Sequence, residues 1–341
     1  MMKQLDVVVF GEAMAMFIAD EFLPLDEADH YTRAVAGAEV NVAVGLTRLG
    51  HHVGWLSRLG DDPLGRYILN QVRQAGIDTQ RVVFDDEYPT GFQLKSRVRE
   101  GDPEVIYFRK SSAASRMTPD AEDDAYIGSA RHLHVTGIPP ALSQTCRQYT
   151  YHAIEQARRA GMSVSFDPNL RPILWKSEDE MREVLNDVAQ KADWVFPGLD
   201  EGTILTGCTQ PEDIAQFYLD RGVKMVAIKT GIRGACLFTG TQRYELPAFS
   251  VRVVDTVGAG DGFAVGIISG MLDGLSWRDC LERGNAIGAL AVTARGDMEG
   301  LPEREQLQSF LETQASSSPD VGRRDQIYRV QDGASSPKLE G

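Results

Sequence analysis

Along the chain, short runs of apolar, mostly β-branched residues alternate with longer stretches whose apolar positions recur every three or four residues. Val7–Phe10, Val53–Ser57, His132–Val135, Ser163–Asp167, Trp194–Phe196 and Met225–Lys229 read as short buried strands. Between them, Val40–Leu49, Leu64–Ala75, Ser143–Ala160, Glu178–Lys191 and Pro211–Asp220 carry helical spacing. Gly50, Gly76, Gly161 and Gly222 stand where a helix C-terminus favours glycine. Strands alternating with helices over this distance predict an α/β fold, a mainly parallel central sheet with helices on both faces.

Two stretches break the rhythm. Met14–Arg33 and Thr90–Arg109 lack helical spacing, and the second alternates before turning at Glu100-Gly-Asp-Pro into Val105–Phe108. That pattern is a hairpin signal. Both stretches (about 14–33 and 90–109) are expected to form a small β-sheet that projects from the α/β body as a lid. The body is expected to span 1–312. The tail 313–341, rich in Ser, Asp, Arg and Gly, offers no apolar face and is expected to be a mobile appendage.

Composition narrows the function classes. The chain has 341 residues, with 35 Lys+Arg against 49 Asp+Glu and a formal net charge of −14. This balance repels a nucleic-acid backbone, whereas placed arginines and backbone amides still admit small anions. Val7–Phe10 is too short for a signal-peptide core, and no run of about 18 apolar residues would cross a membrane. Cys146, Cys208, Cys236 and Cys280 lie far apart without Cys-x-x-Cys spacing, so a cytoplasmic location is expected rather than a disulfide framework.

The densest chemical signal is Asp255-Thr-Val-Gly-Ala-Gly-Asp-Gly-Phe-Ala-Val-Gly-Ile-Ile-Ser-Gly270, preceded by a strand-like run, Phe249–Val254, and read as the start of a helix. Gly258, Ala259 and Gly260 would let an anion approach the backbone, where free N–H groups and the helix dipole favour negative charge. Asp261 beside such a hole would be repelled by phosphate unless it has a task there. Accepting a proton from a hydroxyl that attacks phosphorus is such a task. The plainer alternative is a glycine-rich turn with Asp261 as an ordinary N-cap. No Gly-x-x-x-x-Gly-Lys-Ser/Thr occurs, and no Gly-x-Gly-x-x-Gly follows the first strand, so neither a P-loop nor a dinucleotide site is indicated.

This segment resembles the second signature of the ribokinase-like (PfkB) carbohydrate kinases. Ala36-Gly-Ala-Glu-Val-Asn-Val-Ala-Val-Gly-Leu-Thr-Arg-Leu-Gly50, with Gly60-Asp-Asp-Pro-Leu-Gly65, resembles the first. The resemblance covers about 5–312. It implies a three-layer α/β/α body with a β lid over the sugar, Asp261 as catalytic base, and Gly258, Ala259 and Gly260 as the anion hole. It also places Gly37 and Asn41 at sugar hydroxyls, where Asn offers a donor and an acceptor.

Ile106-Tyr-Phe-Arg-Lys110 and Asp167-Pro-Asn-Leu-Arg-Pro-Ile-Leu-Trp175 carry two arginines, and a guanidinium grips a carboxylate through paired hydrogen bonds. Each could equally be a surface salt bridge. The second segment resembles that of the 2-keto-3-deoxygluconate kinases, as do Thr136-Gly-Ile-Pro-Pro-Ala-Leu-Ser143 and Arg295-Gly-Asp-Met-Glu-Gly300. That likeness implies Tyr107, Arg109 and Arg171 around a sugar acid, with Ile138 contributing its backbone. The 5-dehydro-2-deoxygluconate kinases share the Asp-x-Asn-x-Arg segment.

Lys229-Thr-Gly-Ile-Arg-Gly-Ala235 resembles the family's nucleotide loop, which implies ATP contacts at Lys229, Thr230 and Gly231 and a base or ribose neighbour in Asn285. Pro197-Gly-Leu-Asp-Glu201 departs from the family pattern, with Gly198 where an Asn is expected. Glu201 matches, and is expected to meet Mg2+ through water. His132 and His134 share a strand face, but no third metal ligand is evident. The expected activity is ATP-dependent phosphorylation of the 6-hydroxyl of a 2-keto-3-deoxy sugar acid. The alternatives are another sugar kinase of the family (5-dehydro-2-deoxygluconate kinase, fructokinase or ribokinase) and a non-catalytic sugar sensor, which the presence of Asp261 disfavours. Open lid edges would allow a homo-oligomer.

Overall fold

The computed structural model describes residues 5–98 and 103–317. Its strands are, in chain order, β1 (Leu5–Phe10), β2 (Met14–Ala19), β3 (Tyr31–Ala36), β4 (Val53–Gly60), β5 (Val82–Asp85), β6 (Phe92–Lys95) and β7 (Val105–Phe108). They continue with β8 (Ala130–Thr136), β9 (Ser163–Asp167), β10 (Trp194–Val195), β11 (Met225–Lys229), β12 (Ala235–Thr239) and β13 (Arg243–Leu246). A nine-stranded sheet takes the order β13-β12-β11-β10-β9-β8-β1-β4-β5, and a four-stranded sheet the order β3-β2-β6-β7. In the large sheet only β12 and β13 run antiparallel to their neighbours.

Period-two alternation explains how β1 serves two cores at once. Val7 and Val9 face one cluster, with the helices Ala38–Arg48, Ala259–Leu272 and Trp277–Ala291 over it. Val8 and Phe10 face the other, under the helices Gln144–Arg159, Glu178–Ala189 and Pro211–Leu219. This is the three-layer α/β/α arrangement expected. The glycines expected after helix ends, Gly50, Gly76, Gly161 and Gly222, all take positive φ, between 72° and 93°. Asp62, Ser143 and Ser177 cap their helices through side-chain oxygens.

The sheet reverses its direction of growth at β1, with β4 on one side and β8 on the other. In parallel sheets a cleft opens at such a switch point, outside the carboxyl ends of the strands. Into that cleft run Glu12 after β1, Thr136–Ile138 at β8, Asp167–Arg171 at β9, Glu201 beyond β10 and Lys229 at the end of β11.

The small sheet is the expected lid. Its inner face turns Met14, Gln93, Lys95 and Tyr107 toward the cleft. On the outer face the Phe92 and Phe108 rings stack 4.5 Å apart, with Phe17 edge-on to Phe92. The expected turn at Glu100-Gly-Asp-Pro falls largely on residues outside those described.

Two expectations are corrected. Phe249–Val254 is not a strand: its alternating pattern finds no neighbouring strand, and the segment runs as a loop, with Val254 N–H donating to the Val292 carbonyl at 2.8 Å. The helix Arg304–Ser317 carries regular structure past Glu312, because Leu307 is buried against the body. The remainder of the tail lies outside the described residues.

The helices Ala259–Leu272 and Trp277–Ala291 pack backbone to backbone, and a Cβ on Gly266 would lie 2.5 Å from the Gly284 Cα. Gly266→Ala should therefore lower stability by about 1–3 kcal/mol through overpacking. Denaturant unfolding monitored by circular dichroism checks this, and an unchanged midpoint would contradict it.

Candidate active site

The cleft holds a cavity of about 350 Å³ lined by both signatures, the lid and the ends of β9 and β11. At its floor, Gly258 takes φ 85° as N-cap of the helix Ala259–Leu272. A Cβ there would sit 2.3 Å from the Asp297 carbonyl oxygen, so only glycine fits. The first N–H groups of this helix have no partner within it and point toward the cavity end, with the dipole behind them.

Asp261 is buried in the first turn of the same helix. Asn41 Nδ2, from the helix Ala38–Arg48, donates to its Oδ2 at 2.7 Å, and Asn169 Nδ2 to its Oδ1 at 3.4 Å. Burial pushes the Asp261 carboxyl up to about 7; the Asn41 hydrogen bond and Lys229 oppose this, while Asp167 and Asp297 add to it. A carboxylate poised near neutrality is a better base than an exposed Asp. Gly37 begins the Asn41 helix at φ 153°, where a Cβ would lie 2.7 Å from the Glu12 carbonyl oxygen.

Lys229 Nζ pairs with Asp167 Oδ2 at 2.7 Å and lies 3.4 Å from the Cβ position of Gly260, at the start of the helix Ala259–Leu272. Burial works to lower its pKa, but Asp167 and Glu201 outweigh this and raise it. Asp167 is itself raised by burial to about 6. Glu201 Oε1 accepts from Leu170 N–H at 2.8 Å and Oε2 from Gly198 N–H at 2.7 Å. Gly198, where the family's Asn was expected, thus gives Glu201 its backbone N–H and offers no side chain to the cavity.

The lid brings two cations. Arg109 is buried against Glu12, with Nε at 2.7 Å and Nη2 at 2.5 Å from Glu12 Oε2, while Ser112 Oγ donates to Glu12 Oε1. Lys95 Nζ bridges Asp255 at 2.7 Å and Asp297 at 3.3 Å. Arg171 donates through Nη1 to the Leu170 carbonyl at 2.9 Å and lines the cavity. Of the four cations on the wall, Arg171 alone has no carboxylate partner among the described residues.

The structure thus gathers Gly37, Asn41, Tyr107, Arg109, Ile138, Arg171, Glu201, Lys229, Gly258, Gly260 and Asp261 around one cavity. Ile138 arrives with its N–H donated to Thr136 Oγ1 at 3.1 Å and its carbonyl accepting from Ala141 N–H at 3.0 Å, so the second lone pair of that carbonyl is what its backbone has left to offer. Ala259, Thr230, Gly231 and Asn285 do not line the cavity. Thr230 and Gly231 form the turn after β11, and Asn285 Nδ2 is spent on the Leu246 and Pro247 carbonyls at 3.1 and 3.0 Å. His132 and His134 are buried on Ser163 and Ser165, and burial pushes both down to about 3, so they are neutral packing groups. Among the described residues no cluster of three or more His, Cys, Asp or Glu could hold a metal by itself.

Sequence reasoning missed Glu12, Lys95, Asn169 and Asp297. Asn169 sat in a quoted motif without a role. Lys95 gave no signal, since one Lys in an alternating strand looks like a solvent-facing position.

The chain matches the pfkB family carbohydrate kinase model over residues 4–304. It is 55% identical over 313 residues to the 2-dehydro-3-deoxygluconokinase of Bacillus subtilis (strain 168), covering 91% of this chain and 97% of that protein. A PfkB protein from Polaromonas sp. JS666 superposes with a TM-score of 0.83 at 48% identity, covering 89% of this chain and 99% of that one. An E. coli protein described as a ribokinase II, in complex with ATP and Mg2+, superposes with a TM-score of 0.84 at 27% identity, covering 91% and 99%.

Three outcomes are expected of Asp261. A general base works ionised, so with Asp261 in the expected role kcat/KM should rise with pH and level off above a midpoint near 7. Asp261→Asn should cut kcat about 10²- to 10⁴-fold. Its folded-state pKa is raised, so the folded chain holds this proton more tightly than the unfolded one. Stability is therefore lost as pH climbs from 3.8 to about 7. Asp261→Asn should accordingly melt higher than the parent at pH 8, with the gain vanishing below pH 4. An equal melting temperature at pH 8 would refute the buried, costly carboxylate.

Proposed function

The chain belongs to the pfkB family of carbohydrate kinases, and from that premise we propose that it is an ATP-dependent 2-dehydro-3-deoxygluconokinase that phosphorylates the 6-hydroxyl. The observation that carries the acid substrate is Arg171, a guanidinium on the cavity wall with no carboxylate of its own, facing the same space as Asp261. A carboxylate satisfies it by paired hydrogen bonds. Arg109 is already neutralised by Glu12, and it shapes the acid end together with Tyr107.

With the acid held at Arg171, Gly37 and Asn41 meet the middle hydroxyls and the far hydroxyl reaches Asp261. Asp261 takes the hydroxyl proton as that oxygen bonds to the γ-phosphorus, and the bond to the departing ADP oxygen breaks. Gly258, Ala259 and Gly260 offer backbone N–H groups to the transferred phosphoryl, and Lys229 adds a positive charge beside them. The lid keeps water from competing for the phosphoryl. Thr230 and Gly231, at the turn after β11, meet the nucleotide, with Asn285 behind that turn as a neighbour of the base or ribose.

The oxygen-rich acid pair Asp167 and Glu201 suits a hard cation, and Mg2+ bound with ATP would neutralise phosphate charge while keeping most of its waters. Each carboxylate keeps lone pairs beyond its present hydrogen bonds, so both could hold such a hydrated ion. ATP as co-substrate and four unpaired cysteines support a cytoplasmic location. The lid's outer face, where Ile106 and Phe108 are exposed and β7 offers an open edge, supports a homo-oligomer. A molar mass of one chain by light scattering would rule that out.

ADP release with Mg-ATP, measured across keto-deoxy acids, ketohexoses, ribose and nucleosides, tests the substrate directly; the 2-keto-3-deoxy acid should win on kcat/KM. Arg171→Ala should raise KM for that acid by about 10- to 100-fold, the loss of a charge-assisted bond, and leave a neutral ketose nearly unaffected. Equal losses on both would refute the carboxylate role.

A further inference from the structure

Asn169 is the one non-glycine residue of the cavity wall held at positive φ, 41°. Asn tolerates the left-handed region better than most residues, but the conformation still has a cost, and it persists only where the surroundings enforce it. Here they do. Its own N–H donates to Asp167 Oδ1 at 3.2 Å, and the next N–H, of Leu170, is fixed by Glu201 at 2.8 Å. The effect is to aim the Asn169 amide at Asp261, with Nδ2 3.4 Å from Oδ1.

The other end of that amide is unsatisfied. Asn169 Oδ1 is buried and without a hydrogen-bond partner, and so is Asn41 Oδ1. A buried carbonyl left unpaired is costly. Two such oxygens flanking one carboxylate, each belonging to an amide whose NH2 touches that carboxylate, form a matched set. Asn41 Nδ2 takes Oδ2 and Asn169 Nδ2 leans on Oδ1, so Asp261 sits between two amides whose acceptors both await donors. A polyol supplies such donors. When one hydroxyl lies on Asp261, the hydroxyl on the adjoining carbon lies about one hydrogen-bond length from it, within reach of an amide oxygen next to the same carboxylate.

We propose that Asn169 is a catalytic residue, whose amide oxygen accepts a hydrogen bond from the substrate hydroxyl adjoining the one phosphorylated while its NH2 steadies Asp261. This rests on the kinase reading above, in which the phosphorylated hydroxyl is the 6-hydroxyl and its neighbour the 5-hydroxyl. The residue thereby reads an adjacent pair of hydroxyls at the reacting end of the acid, opposite the carboxylate at Arg171. A substrate with a lone terminal hydroxyl leaves the amide unsatisfied and the reacting group free to rotate.

The test compares Asn169→Gly with the parent on 2-keto-3-deoxygluconate and on its 5-deoxy analogue. Glycine keeps the positive φ and deletes only the amide, so the variant should melt at least as high as the parent. It should lose at least about tenfold in kcat on the full acid. The parent should lose at least about tenfold in kcat/KM on passing to the 5-deoxy acid. The variant should lose little further, because the partner of that hydroxyl is already gone. Equal losses in both proteins on removing the hydroxyl would overturn the proposal, and so would an Asn169→Gly enzyme with parental kcat. Failure of the parent to phosphorylate either acid, with another sugar of the panel turned over, would overturn the substrate reading and this inference with it.

Discussion

A hydrogen bond of 2.7 Å between Asn41 and Asp261 joins residues 220 apart in the chain and sets the geometry of everything around it. It requires the helices Ala38–Arg48 and Ala259–Leu272 to lie against each other at their N-terminal ends. They do so because Gly45 has no side chain: a Cβ there would be 2.6 Å from Val265 Cγ2. The close approach puts Gly37 and Asn41 beside Gly258 and Gly260 on one cavity wall. Asp261 stands at the seam, and neither helix alone would make the cavity.

Charge inside the cavity is largely settled before any ligand arrives. Arg109 is matched by Glu12, Lys229 by Asp167, and Lys95 by Asp255 and Asp297. Buried pairs of this kind cost much of their Coulomb energy in desolvation, so they serve geometry more than stability. The pocket is therefore not a general sink for anions, as an unpaired group of arginines and lysines would be. Its attraction is concentrated at Arg171 on one side and at helix amides on the other, which spaces two anionic ends of bound ligands apart. The wall is itself rich in acids, with Glu12, Asp167, Glu201, Asp261 and Asp297 set among Lys95, Arg109, Arg171 and Lys229.

Much of this was legible in the sequence. Both signatures, the alternation of elements and the αL glycines are local patterns with local causes, and Asp261, Asn41 and Gly258 come together around one cavity. The misses share a physical origin. Phe249–Val254 alternates like a strand, yet pairing depends on a neighbour that the segment itself cannot specify. Lys95 alternates like a surface residue, but the acceptors that draw it inward, Asp255 and Asp297, are far along the chain. Arg109 reads as a free guanidinium until Glu12 is brought beside it by the switch point of the sheet. That the Asn285 amide holds the end of β13 is equally invisible in the sequence. Partnerships across long sequence separation are what a single sequence hides.

Lys95 also bears on how the lid can move. It belongs to a strand of the small sheet, while both its acceptors belong to the loops that frame the anion hole, and Asp255 additionally receives the N–H groups of Val257 and Gly296. Lifting the lid therefore means hydrating an ammonium and two carboxylates together. Parting the small sheet from those loops therefore carries an electrostatic cost, because one buried ammonium joins the two. Cover and floor behave as one clamp with a charged pin.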